Sequence, residues 1–145
     1  MIKISLKNYP YLMDMENIVN EFNNTASMCV DFILGVTGDS DIKFYKKAAD
    51  AIISADKFKA IEHYIAYCLP HQKYIFSYDE NYFINMDYDS MRVNKNSDNL
   101  FHVLKLRKYF TTLDKDIKKL IFEYQKLLCN FSMEYLKHRF QKKKT

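Results

Sequence analysis

"KYIFSYDENYFINMDYD", residues 73–89, is the stretch on which the fold class turns. Even positions in its first half are Tyr74, Phe76 and Tyr78, and in its second half Tyr82, Ile84, Met86 and Tyr88. The odd positions of the second run are Phe83, Asn85, Asp87 and Asp89. Alternation with period two is the pattern of a half-buried strand, and the intervening Asp79, Glu80 and Asn81 are turn formers. The expectation is a small antiparallel β-hairpin at about 73–89, with its carboxylates at the turn and on the solvent face. A calcium loop is excluded: neither Asp79 nor Asp87 is followed by a sixth-position glycine and a twelfth-position glutamate. "SMRVNKNSDN", residues 90–99, is compatible with a short third strand before a polar loop.

On both sides of this stretch the pattern is helical. With two glycines and two prolines in 145 residues, little of the chain can be tight turn or linker. Leu12, Met15, Ile18, Val19 and Phe22 recur at helical spacing, as do Cys29, Val30, Ile33 and Leu34. These two runs read as one helix, or as two broken at Asn23-Asn24, ending at Gly35 or Gly38. Asp39, Ser40 or Asp41 can cap the next run, whose register shifts near Ser54 and which ends at Pro70. "NLFHVLKLRKYF", residues 99–110, fits a helix better than a strand through Leu100, Val103 and Leu104.

The strongest helical signal lies at about 113–140. Leu113, Ile117, Leu120, Ile121, Tyr124, Leu127, Leu128, Phe131, Tyr135 and Leu136 form one apolar stripe. Thr111 or Thr112 can cap it, and Asp114 and Asp116 suit the positive end of the helix dipole. The expected fold is an α-rich α+β domain spanning 1–145, its helices packed on this long C-terminal helix, with a short basic tail at 141–145. Leu120, Leu127 and Phe131 are expected in the core.

Composition narrows function. The chain is 48% hydrophobic and 28% charged, which suits a soluble globular protein. Abundant Lys, Asn, Ile and Tyr fit an AT-rich coding source of the kind found in many viruses, mobile elements and bacteria. Cys29, Cys68 and Cys129 are odd in number and far apart, which favours a reducing compartment. No apolar run approaches 18 residues and no signal-peptide core opens the chain, so no transmembrane segment is expected and the cytoplasm, of its own or a host cell, is the expected location.

Catalytic and metal motifs are absent. His63, Cys68 and His71 give three candidate ligands where a structural zinc site takes four. Asp14 and Glu16 point about 200° apart on a helix, and Asp39 and Asp41 are explained as caps. There is no Gly-rich phosphate loop, G-x-S-x-G or H-E-x-x-H, and no Arg-x(4–6)-His of the HEPN ribonucleases. No catalytic residue, metal or cofactor is assigned.

Charge is distributed unevenly. Residues 1–41 carry two lysines against six acids, whereas residues 100–145 carry twelve basic groups against four. Lys105, Arg107, Lys108, Lys115, Lys118, Lys119, Lys126, Lys137, Arg139, Lys142, Lys143 and Lys144 form the candidate polyanion-binding set. Clustered cations attract nucleic-acid phosphates or anionic lipid headgroups. The expected function is therefore a small non-enzymatic binding or regulatory protein docking on such a polyanion. The alternative is a helical adaptor or inhibitor that binds a protein partner through an aromatic face.

Overall fold

The longest apolar repeat in the chain becomes its longest helix. A computed structural model describes residues 14–85 and 110–144, with side chains to residue 140. It comprises α1 (Met15–Thr37), α2 (Ser40–Ala55), α3 (Lys59–Tyr67), a 3-10 turn (Leu69–His71), α4 (Gln72–Phe76), α5 (Glu80–Ile84) and α6 (Lys115–Lys144). A helical turn at 110–112 precedes α6. At a rise of 1.5 Å per residue, α6 is ~45 Å long. It continues through the segment expected as a tail, so Lys142, Lys143 and Lys144 are helical.

Each long-helix boundary has a local cause. The Asp14 carboxylate accepts from the Asn17 N–H at 2.8 Å and caps α1. α1 runs through Asn23-Asn24 and Gly35 and stops at Gly38, whose φ of 62° is left-handed and whose N–H donates to the Leu34 carbonyl. Asn23 stays helical while its side-chain amide donates to the Lys57 carbonyl at 3.0 Å. Asp39 caps α2 by accepting from the Asp41 N–H. The register shift near Ser54 is a true break: Asp56 is extended, with φ −152°, and its carboxylate accepts from the Phe58 N–H.

The hairpin expected at 73–89 is not present. Its described part, to residue 85, is α4 and α5, and every regular element among the described residues is helical. Two features decide this. Tyr78 adopts φ 56°, the Tyr78 N–H donates to the Ile75 carbonyl, and the Asp79 N–H donates to the Tyr74 carbonyl. That pair of bonds closes a helix C-terminus with a left-handed residue, here tyrosine in place of the usual glycine. The Asp79 carboxylate then accepts from the Tyr82 N–H at 3.0 Å and caps α5. The supposed turn residue is thus a helix cap. Tyr74, Tyr78 and Tyr82 recur every four residues, a spacing that satisfies both period two and helical period. The buried residues are Ile75 on α4 and Phe83 on α5, one from each short helix. Asp87, Asp89 and the expected third strand lie outside the described residues, as does most of 99–110.

α1 and α6 pack antiparallel and carry the core. Ile18, Val19 and Phe22 of α1 share a cluster with Leu128, Cys129 and Tyr135 of α6. Cys29 and Ile33, further along α1, meet Ile121, earlier on α6, together with Ile42 of α2. Phe110 stacks on Phe122 and Phe83 packs tilted against both, so α5 and the 110–112 turn close one end. A fully buried Ile or Phe contributes roughly 1.5–3 kcal/mol of transfer free energy, which makes this two-helix seam the main source of stability.

The expected burial of Leu120 and Leu127 is also corrected: they are 48% and 39% exposed, and Phe131 is half-buried. The apolar arc of α6 is wider than the surface its neighbours cover. α1, α3 and α4 take the side bearing Ile121, Gln125, Leu128 and Cys129, leaving the outer edge of the stripe open among the described residues.

Candidate functional site

The open edge of α6 meets an open edge of α1. Phe32 and Tyr124 touch across the seam, their ring centroids 5.8 Å apart. Residues three or four apart on a helix are surface neighbours. Met28 and Val36 therefore flank Phe32, and Leu127 and Leu120 flank Tyr124, in antiparallel register. All four are large, apolar and exposed, Met28 at 48% and Val36 at 38%. Turning 100° per residue, Asp116, Glu123 and Glu134 occupy the strip beside Leu120 and Leu127, about 20–60° further round. The seam is an apolar strip with an acidic margin.

The basic residues lie on the far side of that acidic margin and are partly engaged with it. By the same rotation Lys115, Lys119, Lys126 and Lys137 fall within about 40° of one another on α6. Lys118 pairs with Glu80 of α5 at 2.5 Å and donates to the Phe110 carbonyl. Lys126 donates to the Tyr78 hydroxyl at 3.0 Å, lies 3.8 Å from Glu123 and sits over the Tyr78 ring. Tyr78 in turn donates to Glu123 at 2.5 Å. This cluster anchors the left-handed residue between α4 and α5. Arg139 reaches Glu62 of α3 at 3.6 Å, and Lys137 pairs with Glu134 one turn earlier. Lys115 and Lys119 are exposed. Lys105, Arg107 and Lys108 lie outside the described residues, and Lys142, Lys143 and Lys144 lie on α6 beyond the last described side chain.

α1 contains no Lys or Arg, yet its acids do not neutralise α6. Asp31 pairs with Lys46 of α2, and Glu16 with Lys57 between α2 and α3. Among the described residues no ion pair joins α1 to α6.

The three cysteines, 29, 68 and 129 in sequence, come together around Tyr64. The Tyr64 hydroxyl donates to Gln125 Oε1 at 2.8 Å and lies 3.5 Å from Cys129 Sγ. Gln125 Nε2 points at Cys29 Sγ, 3.8 Å away. Cys68 lines the same space. Burial pushes the Cys29 thiol up to about 12, opposed weakly by the Gln125 contact, and raises Cys68 and Cys129 as well. These thiols are protonated at neutral pH and poor nucleophiles.

His63, Cys68 and His71 do not form a metal site. His71 hydrogen-bonds through Nδ1 to the Tyr82 hydroxyl, and among the described residues no group of three or more potential ligands converges. Burial lowers the pKa of His71. Asp14 and Asp39 are spent as caps, and Glu16 in an ion pair. No described helix is long and apolar enough to cross a membrane. The apolar seam was missed in the sequence because Leu120 and Leu127 carry the same heptad signal as a core position. In comparisons with protein-family models, curated proteins and solved structures, the chain matches none.

Proposed function

We propose that this is a small non-enzymatic binding protein that engages a protein partner through the outer seam of α1 and α6. One observation carries the reading: Leu120 and Leu127, on the longest helix, are exposed beside Met28 and Val36 of the neighbouring helix. Contiguous exposed apolar side chains with a polar margin are the hallmark of an interaction surface. An amphipathic helix with apolar residues at i, i+3/i+4 and i+7 fits a two-helix seam. The test is capture from an extract by the unmodified chain and by Leu120→Glu/Leu127→Glu, after confirming that both melt alike. A partner retained through high salt by the first and lost by the second supports the reading. An identical partner set from both overturns it.

Docking on nucleic acid or anionic lipid is a second reading, supported by the alignment of Lys115, Lys119, Lys126 and Lys137 on one strip of α6. The engagement of Lys118, Lys126 and Arg139 in contacts that hold the fold is what places it second. Retention on a mixed-sequence oligonucleotide or on anionic vesicles, falling steeply with salt, would reverse that order.

A further inference from the structure

Between α1, α2 and α3, above α6, the helices leave a cavity of about 120 Å³. Small residues make the room: Ala26 on α1, Ala49 on α2 and Ala60 on α3 face a space that Phe22, Ile53 and Leu128 close on other sides.

The wall chemistry selects against charge and against strong hydrogen bonding. The polar groups of the inner wall already satisfy one another, Tyr64 with Gln125 and Gln125 with Cys29. The thiols of Cys29 and Cys68 present soft, polarisable sulfur, which favours aromatic contacts. Lys46, Asp50 and His63 are the ionisable residues of the lining outside the thiols and Tyr64. Lys46 is already bound to Asp31 and Asp50 lies near it, so the lining offers no free cation to an anionic ligand, and the Asp50 carboxylate is exposed to water at the rim.

We propose that this cavity binds a small, neutral, apolar molecule with a single aromatic ring or a short branched hydrocarbon chain. The volume sets the size: an engineered apolar cavity of ~150 Å³ takes benzene or xenon. The space is open to solvent between α2 and α3, where Asp50 and His63 are exposed, so a ligand can enter without unfolding the core. The site is distinct from the α1–α6 seam and its occupancy does not depend on a protein partner.

The test is a benzene titration of the full chain, followed through methyl resonances of Ala, Ile and Leu. Saturable shifts are expected at Ala26, Ala49, Ala60, Ile53 and Leu128, with Ile18 unmoved. Ala49→Leu, on a half-buried position of α2, fills the cavity from the side that faces least core and should weaken binding at least tenfold. Should that variant melt abnormally, xenon-induced shifts in the unmodified chain decide, since xenon must move the methyl groups of the same five residues. No saturable shift up to the solubility of benzene, shifts confined to other methyls, or binding unchanged in a folded Ala49→Leu each overturn the proposal.

Discussion

Leu127 and Leu128 are chemically identical neighbours on α6, and truncating each to alanine should separate them sharply. Leu128 is 4% exposed, packs in the main cluster and lines the cavity. Three carbons at about 0.8 kcal/mol each amount to ~2.4 kcal/mol of lost transfer free energy. The void left behind joins one already present, so little collapse can repair it, and the total should reach roughly 3–5 kcal/mol. Leu127 is 39% exposed. About three-fifths of the same transfer term applies, with no enclosed void, and the better helix propensity of alanine offsets a few tenths, leaving ~1 kcal/mol. Urea melts followed by far-ultraviolet circular dichroism would measure both, with the slope m unchanged in each variant. Against a total stability of ~5–15 kcal/mol, the Leu128→Ala midpoint should fall severely and the Leu127→Ala midpoint slightly. Equal losses, or a larger one at Leu127, would mean that α6 is rotated and that the seam described above is part of the core.

The helical reassignment of residues 73–85 predicts that Asp79→Ala removes a cap and destabilises the domain by about 1 kcal/mol with a loss of helical signal. A hairpin turn at the same residues would lose no helical dichroism. His71 makes stability depend on pH. Burial lowers its pKa in the fold, so the unfolded chain binds the extra proton first, and stability is full above the unfolded value near 6.5 and falls as pH drops towards the folded one. The denaturation midpoint should therefore decline between neutral and mildly acidic pH, and His71→Gln should flatten that part of the profile; an unchanged profile would refute the assignment.

What the amino-acid sequence determined by itself is local. The long C-terminal helix was legible because its stripe extends over many turns, where a helical period cannot be mistaken for another. The Asp39 cap was legible for the same reason, acting within three residues of itself, as was the Asp56 break; Asp14, read as part of the helix, is instead its cap, and Thr111 and Thr112, read as caps of α6, lie in the turn before it. The stretch from Lys73 to Asn85 was not legible, because tyrosines spaced by four fit a strand and a helix equally. Its choice rests on Tyr78, whose left-handed backbone is unfavourable alone and is supported by Glu123, Lys126 and Phe122 on α6.

Tertiary structure alone decided which part of each apolar surface is covered. Leu120 and Leu128 carry the same hydrophobic signal, and only the docking directions of α1 and α3 separate them. The same docking drew Cys29, Cys68 and Cys129 around Tyr64 and left three alanines facing a void. It also spent several of the basic residues on Glu62, Glu80 and Glu123. The reason is physical: periodicity records which residues a helix can bury, whereas burial itself belongs to pairs of helices, and only the assembled set shows which side chains have no partner left to cover them.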